Sequence, residues 1–224
     1  MTSLSQATLD RAADRAGLDA PLVYVSSTPS TMGDARELAN DGMPHGTAVV
    51  AGAQTDGRGR LQRAWSAPSG SLAMTVLVRP PLTLSDVGLV SLSAAIAVRR
   101  VIGERFAIKW PNDVLGPDGR KVAGVLCELE ARGRDITFVL VGIGLNVHSA
   151  PEDVPHAACV DAYAAHAPGL ADAAAAIVRE LLDVLDTAAT SPGAVIAEWT
   201  RSAATIGRRV RIGGAEGGGT GGTT

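Results

Sequence analysis

The stretch Thr47–Val78, TAVVAGAQTDGRGRLQRAWSAPSGSLAMTVLV, carries two apolar segments of strand character with a polar, glycine-rich segment between them. Thr47 to Ala53 is rich in β-branched residues. Leu72, Met74, Val76 and Val78 alternate with Ala73, Thr75, Leu77 and Arg79, the two-residue period of a strand. Between the two lies Gln54 to Gly70, where Arg58, Arg60 and Arg63 are interleaved with Gly57 and Gly59 and followed by Trp65. Glycines let backbone approach a ligand closely, and guanidinium groups bind oxyanions through paired hydrogen bonds, so the segment reads as an anion site held between strands. A solvated basic loop would look similar taken alone; the flanking strands, Gln54 and Trp65 argue against it here.

Outward from this stretch the pattern is of one domain. The first twenty residues form a short helix ending before Pro21, and Leu22 to Val25 begin a strand. A second helix opens at Ser30 and Thr31 and runs to Asn40, with Thr31 and Asp34 at capping-box separation and Gly42 just past its end. Asp86 to Gly103 places Leu89, Leu92 and Ile96 on one helical stripe and leads into the strand-like Phe106 to Trp110. Lys121 to Glu130 and Asp135 to Val141 are further extended segments, set off by the turn signals GPDG and RG. A sheet of about five or more strands follows from this count. Leu170 to Ala189 is an alanine-rich helix with Ile177, Leu181, Leu182 and Leu185 on its apolar face, and Gly193 to Thr200 is another. Strands followed by clustered helices predict an α+β fold, a mixed central β-sheet flanked by helices. One domain is expected over residues 1–205. Residues 206–224 read as the start of a further strand that dissolves into a glycine-rich tail without side chains to bury.

The chain has 224 residues, 46% of them hydrophobic, enough for one compact domain with a real core. Its formal charge of −3 gives no overall basic field for non-specific nucleic-acid binding, so any cationic function must be local. The two cysteines, Cys127 and Cys159, lie far apart in no metal-ligand spacing, which argues against a disulfide framework and a structural zinc site and for buried thiols in a reducing cytoplasm. No secretory signal and no run of about 18 to 20 apolar residues is seen, so neither a membrane nor a nucleic-acid partner is expected.

Three more clusters carry polar chemistry. IKWPNDV sets Lys109, Asn112 and Asp113 around Pro111, a strand ending in a polar turn, though PND alone is an ordinary turn sequence. GRKVAGVL places Lys121 after a turn and before Gly124. GIGLNV offers Gly142 and Gly144 with Asn146 at a strand end, where backbone can touch a ligand. The phosphate loop GxxxxGK[ST], GxGxxG after a strand, GxSxG and HExxH are all absent. His45, His148, His156 and His166 are scattered and read as surface or structural.

Together, STM at Ser30, GRGRLQRAW from Gly57, KWPND from Lys109, RKVAGVL from Arg120 and GIGLN from Gly142 resemble the biotin protein ligase family, from Ser30 to about Val147. The resemblance implies the catalytic-domain fold shared with class II aminoacyl-tRNA synthetases, cut short in its small C-terminal β domain. It implies a cytoplasmic, ATP-dependent enzyme that forms biotinyl-5′-AMP with magnesium and passes biotin to a lysine of a biotin carboxyl carrier protein. Residues 1–205 would be that catalytic domain. Biotin would be met by Ser30, Thr31, Gln54, Arg60 and Lys121, with backbone contacts from Gly57, Arg58, Gly124, Gly142 and Gly144. ATP would be met by Arg60, Arg63, Trp65, Lys109, Asn112 and Asn146, Trp65 covering the adenine. Arg60, Lys109, Lys121 and Asp113 would carry the chemistry: the cations bring carboxylate and α-phosphate together, and Asp113 orients the lysines or magnesium. A glycine-rich loop closing over the mixed anhydride would protect it from water, and the biotin rings would pack near Trp110 and Leu126.

Two departures stand out. Met32 occupies a position where the family commonly has Asn, which removes one possible hydrogen bond near biotin, and the small barrel-like domain that normally follows the last helices is expected to be cut short after Ile212; the short lead-in before Pro21 is expected to be too small for a DNA-binding module, so the chain resembles the single-function ligases. Whether the chain forms a homodimer is left open by the sequence. Two other functions are weighed. A lipoate or octanoate transferase would share the sheet and a lysine but lack GRGRxxRxW, and a non-catalytic biotin-adenylate sensor would bind without turnover.

Overall fold

The computed structural model describes residues 4–212 and 220–223, with side chains from Leu4 to Arg209. Five helices and nine strands are present among them: α1 (Gln6–Ala16), β1 (Leu22–Val25), α2 (Thr31–Asn40), β2 (Ala48–Ala51), β3 (Ser71–Val78), α3 (Gly88–Ile102), β4 (Ala107–Lys109), β5 (Asp113–Leu115), β6 (Lys121–Arg132), β7 (Asp135–Asn146), α4 (Leu170–Thr190), α5 (Pro192–Ser202), β8 (Arg209–Ile212) and β9 (Thr220–Thr223). The first seven strands make one sheet in the order β1-β2-β3-β7-β6-β5-β4. β1 and β2 run parallel and the other pairs antiparallel, so the sheet is mixed, as the α+β reading expects.

The two-residue period sorts side chains to two faces. Leu72, Met74, Val76, Ala123, Val125, Val141, Ile143 and Leu145 turn to one face and form the main core with Leu9 of α1, Val90 and Val98 of α3 and Ile177, Leu181 and Leu185 of α4. Val49, Leu77, Phe138 and Leu140 turn to the other face, where Ala35 and Ala39 of α2 cover them. Four helices therefore lie on one side, α5 joining through Trp199 and Val195 against Ile96 and Val184, and α2 alone on the other. That asymmetry leaves part of the second face open.

Several local expectations are adjusted. The N-cap of α2 is Ser30, whose hydroxyl accepts from the Met32 amide at 3.4 Å, not Thr31 in a capping box with Asp34. Thr31 is drawn inward instead, and Asp34 accepts a bond from the Thr28 hydroxyl at 3.1 Å. Asp113–Leu115, read as a polar turn, is strand β5. Three residues are too few to show a period, and pairing with β4 and β6 defines the element. β7 continues to Asn146, five residues beyond the Val141 expected from the sequence. Of the glycine-rich tail expected to lack structure, residues 213–219 and 224 lie outside the described residues. Thr220–Thr223 pairs antiparallel with Arg209–Ile212.

Candidate active site

The open part of the sheet is ruled by register. Three rows of residues cross it side by side: Thr75, Gly142 and Leu126; then Ala73, Gly144 and Gly124, extended to Asp113; then Ser71 and Asn146. Successive rows are two residues, about 7 Å, apart on one face. Above them lies a cavity of about 450 Å³, within the range of small-molecule sites. The start of α2, the segment after β2, the β4–β5 turn and residues 151–157 enclose it.

The first row carries an uncharged hydrogen-bond chain. Thr31 Oγ1 donates to Gln54 Oε1 at 3.0 Å and is 2.8 Å from Thr75 Oγ1, while the Thr31 amide donates to the same Gln54 oxygen at 2.8 Å. Gln54 Oε1 thus accepts twice, which leaves its NH₂ as the group to present. A Cβ on Gly142 would stand 2.9 Å from the terminal methyl of Met32, so the thioether is laid across that glycine.

The second row is covered by the indole of Trp65. A Cβ on Gly144 would come within 2.1 Å of the ring and one on Gly124 within 3.3 Å, so only glycine at position 144 permits this seat. Lys121 Nζ lies 5.4 Å from the ring centroid and 2.6 Å from Asp113 Oδ1. Trp65 Nε1 is buried without a partner among the described residues. Lys121 is fixed through its backbone as well: its amide donates to the His156 carbonyl at 2.7 Å and its carbonyl accepts from the Ala158 amide at 2.9 Å.

Trp65 and the arginines arrive on a small hairpin rather than an open loop. Gly59 N donates to Arg63 O at 2.7 Å and Trp65 N to Gly57 O at 2.8 Å. Leu61 and Gln62 turn the chain at its tip with φ of 56° and 58°. Arg58, Arg60 and Arg63 line the cavity together with Lys109 and Lys121, so Arg60 and Lys121 share one space. Arg58 also pairs with Asp56 at 2.8 Å, and that hydrogen bond raises its already high pKa.

Of the residues singled out in the sequence, Ser30, Thr31, Gln54, Arg58, Arg60, Arg63, Trp65, Lys109, Asn112, Asp113, Lys121, Gly124, Gly142, Gly144 and Asn146 all line the cavity. Gly57 does not. It is buried where a Cβ would meet the Trp65 carbonyl at 2.5 Å and Gln54 Nε2 at 2.9 Å, so it serves the close approach of the hairpin arms. Asn112 and Asn146 spend their NH₂ groups on the fold, on the Val125 carbonyl at 2.6 Å and the Ala158 carbonyl at 3.1 Å, and the Asn146 oxygen accepts from the Ser71 hydroxyl at 3.5 Å.

Residues 24–146 match the family model described as the biotin/lipoate A/B protein ligase family. This chain belongs to that family. The bifunctional ligase/repressor BirA of Bacillus subtilis is 41% identical over 139 residues, 60% of this chain and 42% of the relative. A biotin--[acetyl-CoA-carboxylase] ligase of Mycobacterium tuberculosis is 34% identical over 202 residues, 85% of this chain and 74% of the relative. The chain thus spans less than half the length of the Bacillus relative it matches. Among solved structures, the biotin protein ligase of Aquifex aeolicus in complex with biotin and ATP superposes with a TM-score of 0.72 at 26% identity, covering 90% of this chain and 85% of that one. The Leishmania major enzyme in complex with biotinyl-5-AMP gives 0.72 at 27% identity, covering 88% and 87%.

The matched segment of this family member ends with β7, at Asn146, yet the cavity draws further residues from beyond it: Pro151, Val154, His156 and Ala157. His156, read from the sequence as surface or structural, is exposed and also lines the cavity. Thr75 was visible only as an ordinary strand residue; its pairing with Gly142, three strands' worth of sequence away, brings it to Thr31. The alternation in SLAMTVLV was the one available signal, since it sets Thr75 on one face with Ser71, Ala73 and Leu77, where a buried hydroxyl calls for a partner.

Proposed function

We propose that the chain is a biotin protein ligase, which joins biotin and ATP into biotinyl-5′-AMP and then transfers the biotinyl group to a lysine of a biotin carboxyl carrier domain. One observation carries this: a single cavity has hydrogen-bond groups without charge at one row of the sheet and five cationic side chains around the rest. A bicyclic urea with a carboxylate tail and a nucleoside triphosphate need such a division.

In the first step a biotin carboxylate oxygen attacks the α-phosphorus of ATP and the bond to the β-phosphate oxygen breaks, releasing pyrophosphate. Two anions must meet at bonding distance, and water screens them poorly once they are enclosed. Arg60, Lys109 and Lys121 would lower that repulsion and stabilise the charge that grows on the transferred phosphorus. Asp113 holds Lys121 by its 2.6 Å ion pair, which keeps a flexible ammonium in place before the substrate arrives. In the second step the neutral amine of a lysine attacks the acyl carbon, AMP departs, and the amine gives up a proton. The Trp65 hairpin would exclude water from the anhydride in the interval.

Bound together with ATP, magnesium would supply charge for the departing pyrophosphate. Among the described residues no three His, Cys, Asp or Glu side chains gather as a ligand set, and Asp113, which lines the cavity, is held by Lys121. These residues fit an ion carried by triphosphate oxygens and water, the usual habit of magnesium.

Incubating the pure protein with labelled biotin, ATP, magnesium and a carrier domain is expected to label the carrier, with pyrophosphate released at matching yield. Biotin binding without labelling would favour a sensor. Labelling by lipoate or octanoate in place of biotin would favour the related transferase, which the Gln54 and Thr31 pattern gives no reason to expect.

A further inference from the structure

Lys121 stands on the cavity side of the sheet against the alternation of its own strand. Gly124 lines the cavity beside Asp113, and a Cβ on Gly124 would lie 3.0 Å from the Lys121 ammonium, so these two residues of β6 share a face. They are three positions apart, an odd count that in an unbroken strand sends side chains to opposite faces. A bulge resolves this. Ala123 pairs with Val114, but Leu115 pairs with Lys121, so Val122 is passed over in the register with β5. Val122 and Ala123 are both buried in the main core, and Lys121 is turned into the cavity.

β5 has only three residues, so its ladder holds this register weakly, and a slip of one residue would turn Lys121 away from Asp113. A further hold comes from beyond the segment matched by the family model. Tyr163 lays its ring on the β5–β6 turn, where a Cβ on Gly116 would come within 2.4 Å of that ring. Its hydroxyl donates to Asp118 Oδ1 at 2.5 Å, a bond that holds the Asp118 carboxyl below its ordinary pKa. Asp118 in turn accepts from the Arg120 amide at 3.1 Å and from Arg120 Nε at 2.7 Å. The Arg120 guanidinium lies over the same ring, 5.8 Å from its centroid. Tyr163 is itself fixed by Phe106, whose ring meets it edge-on at 5.9 Å, and by the Arg105 guanidinium, which donates to its carbonyl. Arg120, the neighbour of Lys121, is thus tied to Tyr163 through both its backbone and its side chain.

We propose that Tyr163 is a positioning residue for adenylation: by clamping the β5–β6 turn it maintains the bulge at Val122 and so keeps Lys121 aimed into the cavity. This inference rests on the biotin reading above, since the biotin carboxylate is what Lys121 would meet. Without the clamp the turn closes in the regular register, with Val122 opposite Leu115, and Lys121 leaves the face it shares with Gly124.

The test is a double-variant cycle read by calorimetric titration of the whole chain with biotin. Tyr163→Ala is expected to weaken biotin binding about tenfold in the wild-type background and less than about twofold in Lys121→Ala, because a lysine already removed cannot be misplaced. Gly116→Ala pushes the ring off the turn from the other side and is expected to give the same pair of results. A tyrosine that only supports the fold would lower the urea midpoint and leave biotin affinity alone, or would weaken both backgrounds by the same factor. Either result in a folded protein overturns the proposal, and if Tyr163→Ala does not fold, Gly116→Ala decides. Failure of the wild type to bind biotin at all would instead sink the biotin reading, and this inference with it.

Discussion

Lys121 shows how much of a site can rest on one residue. Its backbone is bonded on both sides to residues 156–158, its ammonium is 2.6 Å from Asp113, and its charge lies over the Trp65 ring. Lys121→Ala removes a cation from the cavity and leaves Asp113 as an uncompensated anion, so it should weaken binding of the biotin carboxylate by about 10- to 100-fold, the worth of one charged hydrogen bond. Arg60→Ala should spare biotin binding within about threefold and instead speed loss of the adenylate, because Arg60 stands on the hairpin and would span both substrates. Titration with biotin and the dissociation rate of preformed biotinyl-5′-AMP separate the two. Equal effects of both substitutions on both readouts would remove the distinction. Cys127, by contrast, is no reagent: burial pushes its thiol up to about 12, far from the ionised form that reacts.

The hairpin from Gly57 to Trp65 is the element that differs most from its sequence. Glycines in GRGRLQRAW suggest that the turn would be made at a glycine, yet the left-handed positions fall on Leu61 and Gln62. The arms set this outcome: the bonds from Gly59 to Arg63 and from Trp65 to Gly57 place the reversal two residues later. Both central residues at positive φ is the pattern that Asn-Gly serves best, and a left-handed conformation costs an ordinary residue roughly 1–2 kcal/mol. Leu61 is also 81% exposed, so nothing is buried in return. The pair Leu61→Asn with Gln62→Gly should therefore favour the closed hairpin by about 1 kcal/mol after allowing for the glycine entropy. Limited proteolysis at Arg60 and Arg63 reads this directly. Slower cleavage of the double variant is expected, and faster cleavage would mean that the tip geometry is set by something other than backbone preference.

For the whole molecule, acid sensitivity has an identifiable contributor. His45, between α2 and β2, accepts the Arg79 amide proton on Nδ1 at 2.8 Å, which requires an unprotonated nitrogen there. Burial lowers its pKa from 6.5; the nearby Asp186 opposes this and Arg79 reinforces it. The unfolded chain thus takes up the proton first on acidification. His45 contributes stability that is complete above pH 6.5 and is lost as pH falls through the lowered folded value. Urea midpoints at about pH 7.5 and about pH 5.5 should fall further for the wild type than for His45→Gln, in which the titrating group is gone. Equal falls would assign the acid sensitivity elsewhere, to carboxylates such as Glu198, whose pKa the Arg100 pair holds down.

How far the chain could be read without coordinates follows from the range of each interaction. Alternation in Ser71–Val78, the stripe along α3 and α4 and the turn signals are local, and they were enough for the α+β class and most elements. The clusters around Arg58, Lys109, Lys121 and Gly142 were also legible, since each packs its chemistry into a few neighbouring positions. The sequence could not say that Gly57 would be buried away from the cavity, that Asp113 would begin a strand, or that Thr75 and Met32 would share a row with Gly142. Those facts depend on which strands pair and in what register. A shift of one residue turns every side chain to the opposite face. Residue types alone determined what chemistry this protein holds. Pairing between segments far apart in the chain decided on which side of the sheet, and beside which neighbours, that chemistry would stand.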